Sequence, residues 1–157
     1  MFLEFPEDRT THYLDRQYMF GSSLLVAPVF VPEGEESEYY IPAGRWTNFF
    51  YPDRFVDGPI WIKEIVPINE IPVWVRPGSV LCLGPRGIGR PDYDYAVGLE
   101  VQAYEIPPGG TVTVEVPTGR GEEIAGYVKA VASFTGQVDV IAGGGVQVAR
   151  VQNFSNV

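Results

Sequence analysis

The chain has 157 residues, of which 45% are hydrophobic and 20% charged, so it is long enough and apolar enough to bury a core. Its net charge of −9 argues against a nucleic-acid partner, which needs clustered Lys and Arg, and it holds no apolar run long enough for a membrane-spanning helix. A single cysteine, Cys82, excludes an internal disulfide and a Cys-based zinc site.

The N-terminal MFLEFPEDRT carries acids and a proline where a signal peptide would have a basic start and an apolar core. Met1–Phe5 reads as a short strand ended by Pro6, and Thr10 or Thr11 as the cap of a following helix. Tyr13, Leu14, Gln17, Tyr18 and Phe20 fall at roughly helical spacing over residues 11–20, with Gly21 just past the helix end. This is the one helix the sequence predicts.

From Leu24 onward the pattern is strands and turns. Leu24–Phe30 reads as a buried strand and Ser37–Ile41 as another. Pro42-Ala43-Gly44-Arg45 reads as a turn into Trp46–Tyr51. Trp61–Val66, Ile71–Val75 and Val80–Leu83 follow, and Arg76-Pro77-Gly78-Ser79 has the residues of a tight turn. Residues 84–98 are polar and rich in Gly and Pro, as in a linker or long loop. Beyond them Leu99–Glu105, Thr111–Val116, 124–133 and 137–142 continue the strand pattern, and Gly143-Gly144-Gly145 turns into Val146–Val151. With 18 Gly, 14 Pro and 13% aromatics, the expected fold is mainly β: an antiparallel β-sandwich with one short N-terminal helix.

No chemistry stands out from this frame. His12 is the only histidine, so any nucleophile–His pair must use it, and it lies on the early helix beside no nucleophile. Cys82, within Val80–Leu83, reads as a buried structural thiol. The acidic run Glu33–Glu38 lacks the alternating ligand pattern of a calcium loop and reads as a solvated hairpin tip. Asp92 and Asp94, interleaved with Tyr93 and Tyr95, read as a polar loop. Gly84-Pro85-Arg86-Gly87-Ile88-Gly89 lacks the Lys-Ser/Thr ending of a phosphate loop. Asn153-Phe154-Ser155 is a glycosylation sequon. Trp46, Trp61 and Trp74 have faces that could stack on sugar rings, although tryptophans in strands more often pack in a core. Glycoside hydrolysis requires two carboxyl groups roughly 5–10 Å apart, and none of the 20 acidic residues has a distinguishing context.

The order of segments is more specific. Glu4-Phe5-Pro6-Glu7-Asp8, then Tyr13–Gly21 (YLDRQYMFG), then Leu24–Val29 (LLVAPV) closely resembles the C-terminal portion of glycoside hydrolase family 31. Tyr39–Trp46 (YYIPAGRW) looks like that family's YxPxGxW hairpin, and Ile71–Val80 (IPVWVRPGSV) like its P-V-x-V-R-x-G-S strand and turn. Arg90-Pro91-Asp92-Tyr93 is similar to the α-xylosidase branch.

The resemblance implies a parent protein in which a (β/α)8 barrel is followed by proximal and distal C-terminal β-domains. Residues 1–21 would then be the end of the catalytic barrel, its last strand and helix. Residues 22–84 would be the proximal domain, 85–97 a linker and 98–157 part of the distal domain. The parent would be a retaining α-glycosidase that hydrolyses a terminal α-linked sugar, with no cofactor or metal. Its two catalytic aspartates and main sugar-binding residues lie on earlier barrel strands, so no catalytic residue is carried over to this chain. Glu4, Phe5 and Asp8 would at most border the barrel mouth. The partner is then the missing barrel of the same polypeptide, with no nucleic acid or membrane, and the isolated fragment would be inactive and prone to self-association. The alternative is a noncatalytic carbohydrate-binding or oligomerisation β-sandwich module.

Overall fold

A computed structural model describes residues 1–87, 89, 92–119, 121 and 123–155 as two compact units, Met1–Pro77 and Gly78–Val157. Both are built from β-strands, so the fold is mainly β.

The first unit opens with a turn, not the expected strand. The amides of Glu4 and Phe5 both donate to the Met1 carbonyl, at 3.0 and 3.1 Å. The turn brings Met1 and Phe5 back onto the core, which an extended segment would not do. A 3-10 helix, Arg9–Tyr13, follows and is capped by Asp8 rather than by a threonine: its Oδ1 accepts from the Thr10 amide at 3.0 Å. The helix expected over residues 11–20 ends there. Tyr18–Phe20 is strand β1, paired with β2 (Leu24–Val26), and Gly21-Ser22-Ser23 turns between them. The hairpin wins because Met19 and Leu25, opposite each other, both reach the core, a gain that helical spacing does not offer. The expected strand Leu24–Phe30 accordingly ends at Val26, just before Ala27-Pro28.

Strands β3 (Glu36–Asn48), β4 (Phe55–Ile65) and β5 (Val73–Val75) complete a five-stranded sheet in the order β1-β2-β5-β3-β4. The turn expected at Pro42–Arg45 is instead a β-bulge inside one long strand. Ile41 pairs with Ile60 and Gly44 with Gly58, so three steps on β3 oppose two on β4. That extra residue changes which face each side chain takes. Tyr39 and Ile41 lie in the core before the bulge, and Trp46 lies in the same core after it. The sequence supports the irregularity at each position. Proline needs no ladder amide, Gly44 sits at φ +117°, and a Cβ on Gly58 would stand 2.0 Å from the Pro42 carbonyl oxygen. The Trp46 indole N–H then donates to that carbonyl at 3.0 Å.

Trp46, Trp74, Tyr39, Leu25 and Ile41 are fully or almost fully buried. Removing a large apolar side chain from water contributes about 2–3 kcal/mol, so a few rings account for much of what holds this sheet together.

The second unit is a sandwich of two three-stranded sheets, β11-β7-β6 and β10-β9-β8. Its strands are β6 (Ser79–Leu83), β7 (Val97–Tyr104), β8 (Thr111–Pro117), β9 (Ile124–Ala132), β10 (Val138–Gly144) and β11 (Gln147–Phe154). Residues 79–83, grouped by the sequence reading with the preceding β-domain, pair with β7 inside this unit. The Gly143–Gly145 turn comes later than expected, because β10 runs through Gly144. Pairing is antiparallel except between β11 and β7, which run parallel. Alternation sends Leu99, Val101 and Ala103 inward from β7 to meet Val128, Ala130 and Ala132 from β9.

Candidate functional site

Glu4, Phe5 and Asp8, the three residues that would at most border a catalytic mouth, are each engaged within the first unit. Arg76 Nη1 donates to Glu4 Oε2 at 2.8 Å, and its guanidinium lies 4.7 Å from the centre of the Phe5 ring. Phe5 in turn leans on Trp46, centroid to centroid 6.1 Å. Asp8 caps the 3-10 helix with one oxygen and accepts from the Tyr40 hydroxyl with the other, at 2.7 Å. Burial and that carboxylate push the Tyr40 hydroxyl above its usual range.

Gln17 is buried and completes the attachment. Its Nε2 donates to the Tyr40 carbonyl at 2.7 Å, and its Oε1 accepts from the Tyr40 amide at 2.8 Å. One side chain thus serves Tyr40 as a strand neighbour would, holding the N-terminal segment against β3. Neither contact leaves a local mark in the sequence, because Gln17 and Arg76 act through partners 23 and 72 residues away.

A second network holds Trp74. Its indole N–H donates to the Tyr39 hydroxyl at 3.1 Å, and that hydroxyl donates to Glu64. Glu64 also pairs with Arg54 at 2.6 Å, and the Arg54 guanidinium stands 5.1 Å from the Trp74 ring centre. Burial, reinforced by the Glu64 carboxylate, pushes the Tyr39 hydroxyl far up, so Tyr39 stays a neutral donor.

The remaining candidates separate by exposure. His12 is exposed, with Nε2 3.0 Å from the Pro6 carbonyl oxygen. Cys82 is partly buried, which pushes its thiol up and away from the reactive thiolate. Glu38 pairs with Lys63 across the β3–β4 ladder at 3.2 Å. In the second unit, the pKa of the Glu100 carboxyl is lowered by the Gln102 amide at 2.7 Å and by Arg86 at 3.1 Å. Arg86 thus serves an ion pair in the loop once compared with a phosphate loop, whose Ile88 lies outside the described residues. Tyr93 and Tyr95 pack together at 4.7 Å, and Asp94 Oδ1 accepts from the Ala96 amide at 3.0 Å, the hydrogen bond of a turn. Arg90 and Pro91 of the RPDY stretch lie outside the described residues. In the sequon, Asn153 Nδ2 donates to the Gly136 carbonyl at 3.0 Å. Among the described residues no group of three or more His, Cys, Asp or Glu is placed to hold a metal ion.

Of the three tryptophans, Trp46 and Trp74 have no exposed surface, while Trp61 is 49% exposed. Trp61 sits on β4 directly opposite Tyr40, their ring centres 5.3 Å apart. It walls a cleft of about 320 Å³ shared with Tyr13, Asp15, Arg16 and Glu36. It also borders an adjoining hollow of about 410 Å³, which Tyr13 lines too. Here exposed aromatic surface and charged groups of both signs converge.

The family model described as Glycosyl hydrolase family 31 C-terminal domain matches residues 1–81. The α-xylosidase XylQ of Lactiplantibacillus pentosus is 32% identical over 133 residues, covering 80% of this chain and 16% of that protein. An α-xylosidase of Emericella nidulans is 41% identical over 108 residues, 64% of this chain and 14% of its own length. Among solved structures, a GH31 α-xylosidase from Xanthomonas citri aligns with a TM-score of 0.77 at 26% identity, covering 99% of this chain and 18% of that one. The chain therefore spans less than a fifth of the length of these relatives.

Proposed function

Because this chain belongs to glycoside hydrolase family 31 through its C-terminal domain, we propose that it is the β-rich C-terminal part of a longer, retaining α-glycosidase of α-xylosidase type. The observation that carries the reading is the 41% identity to an α-xylosidase over 108 residues. In this proposal the longer polypeptide supplies a (β/α)8 barrel with two catalytic aspartates and hydrolyses a terminal α-linked sugar. Residues 1–21 close the barrel, 22–84 form the proximal β-domain up to β6, whose pairing with β7 hands the chain to the next unit, 85–97 link, and 98–157 begin the distal domain. The chain alone is inactive, and its work is to brace the barrel.

The engagement of Glu4, Phe5 and Asp8 supports a bracing role. Each spends its polar or aromatic surface on fastening the N-terminal segment to the sheet, which leaves little for a substrate.

The test compares two proteins on an aryl α-xyloside and an aryl α-glucoside. The 157-residue chain is expected to be silent. A longer polypeptide from the same gene, carrying the barrel, is expected to hydrolyse at least one of them with retention. Turnover by the short chain that co-purifies with it and is lost on denaturation would overturn the proposal, as would an upstream sequence that encodes no barrel. The alternative of a carbohydrate-binding module has one specific observation behind it, the half-exposed Trp61.

A further inference from the structure

We propose that the cleft between Tyr13 and Trp61 is a noncatalytic binding site for a neutral oligosaccharide. It rests on the reading that the parent protein acts on carbohydrate, and it assigns this chain a sugar contact of its own.

The lining has the chemistry that a pyranose requires. A sugar ring presents apolar C–H faces and a rim of hydroxyls, so it binds where an aromatic face meets both donors and acceptors. Trp61 and Tyr13, the latter 87% exposed, supply the faces. Arg16 supplies donors, and Asp15 and Glu36 supply acceptors. Among the described residues, these three charged groups have no hydrogen-bond or ion-pair partner, so their capacity is open to a ligand.

The same lining argues against other ligands. Three carboxylates, Asp15, Glu36 and the Lys63-paired Glu38, against one guanidinium disfavour a phosphate. The absence of a three-ligand cluster among the described residues disfavours a bound metal. A purely apolar partner would leave the three charges desolvated and unpaired, at a cost that a hydroxyl-rich ligand avoids.

The aromatic platform is also held in place before anything binds. Trp61 packs against Tyr40, whose backbone is fixed by Gln17 on both its amide and its carbonyl and whose hydroxyl is fixed by Asp8. A side chain ordered in advance loses less freedom when it binds, which matters most for a weak ligand. Trp46 and Trp74 are fully buried and cannot serve this way.

The three tryptophans make the experiment specific. The full 157-residue chain is labelled with nitrogen-15 and titrated with isomaltotriose and, separately, with an α-1,6-linked xylosyl-glucose disaccharide. The Trp61 indole signal is expected to shift and saturate, with a dissociation constant on the order of 1 mM. The Trp46 and Trp74 indoles, hydrogen-bonded inside the core, should stay in place. Trp61→Ala should weaken binding at least tenfold. Tyr13→Ala should weaken it severalfold with an unchanged melting temperature, because that ring is almost fully exposed.

Saturation by neither sugar, or an affinity indifferent to both substitutions, would overturn the proposal. So would self-association through Trp61, seen by light scattering, that excess sugar fails to compete away, because the face would then belong to a protein contact. Failure here is distinguishable from failure of the enzymatic reading. A chain that binds no sugar while the longer polypeptide cleaves the aryl glycoside loses only this site.

Discussion

In the first unit the core is made of a few large rings that carry polar atoms, whereas in the second the core cluster is made of many small apolar side chains, with Tyr104, Glu100 and Gln102 buried beside it. Trp46, Trp74 and Tyr39 fill the first, and each indole N–H or hydroxyl must be met: by the Pro42 carbonyl, by Tyr39 and by Glu64. Val101, Val128, Ala103, Ala130 and Ala132 fill the second, between two sheets that need only be close. A core of the first kind ties volume to direction, because a ring that moves loses a hydrogen bond along with its packing. A core of the second kind depends on area alone and tolerates small shifts. The resemblance to family 31 was carried mostly by the first unit, and its motif residues are those that meet the directional demand.

The sharpest way to break this contrast is to truncate one residue of each kind. Trp74→Ala should cost the first unit about 3–5 kcal/mol, and Val128→Ala should cost the second about 2 kcal/mol. All three tryptophans lie in the first unit, so urea unfolding followed by tryptophan fluorescence reports on it, and amide NMR reports on the other. Equal losses, or one shared transition in both mutants, would show that the two cores do not behave as separate kinds.

Gln17→Leu tests direction without changing much volume. It leaves the Tyr40 amide and carbonyl without their partner, and each orphaned buried group costs about 1–3 kcal/mol. Hydrogen exchange at the Tyr40 amide should accelerate along with the loss of stability. Exchange that stays as slow as in the parent chain would mean that Gln17 is dispensable.

Gln17 also shows why part of the fold was legible in the sequence and part was not. The alternation of Thr111–Val116 predicts β8, and the observed strand, Thr111–Pro117, extends it by one residue. Residues 11–20 failed because Tyr13, Gln17 and Tyr18 match a helical period by coincidence. Gln17 is turned to a backbone 23 positions away, and Tyr18 pairs in a hairpin. The parallel match of β11 with β7 is set by tertiary placement and leaves no local mark. For the candidate site, composition could nominate three tryptophans, but only packing could separate the exposed one from the two in the core.

A smaller effect with the opposite sign is expected at Thr47. Its hydroxyl is buried and has no hydrogen-bond partner among the described residues. Thr47→Val keeps the branched shape and removes the unmet group, so the first unit should gain about 1 kcal/mol. A lower melting temperature would show that the hydroxyl is satisfied after all.

The mildest probe addresses the second unit, where the row of polar residues on β7 is the exception to an apolar interior. The folded Glu100 carboxyl sits below its ordinary 4.5, chiefly through the Gln102 hydrogen bond and then through Arg86. The unfolded chain therefore takes up that proton first as the pH falls. The Glu100 contribution is complete above the ordinary value and is lost as the pH drops through the lowered one. Urea titrations at about pH 6 and about pH 3.5 should show the second unit weakening in acid, and Glu100→Gln should flatten that dependence. A pH response left unchanged by the substitution would place its origin elsewhere.

The bulge at Pro42–Gly44 has a consequence for how such chains tolerate change. Read as a loop, YIPAGRW would absorb a lost or gained residue at little cost. As a bulge it works like a reading frame. Each side chain after it keeps its face only because the strand carries that one extra residue. Deleting Ala43 would not shorten a loop but remove the extra residue, leaving a regular ladder that keeps Trp46 on the Tyr39–Ile41 face. A residue inserted between Arg45 and Trp46 would instead turn Trp46 out to the Tyr40 face, and the error would run unrepaired to the end of the strand.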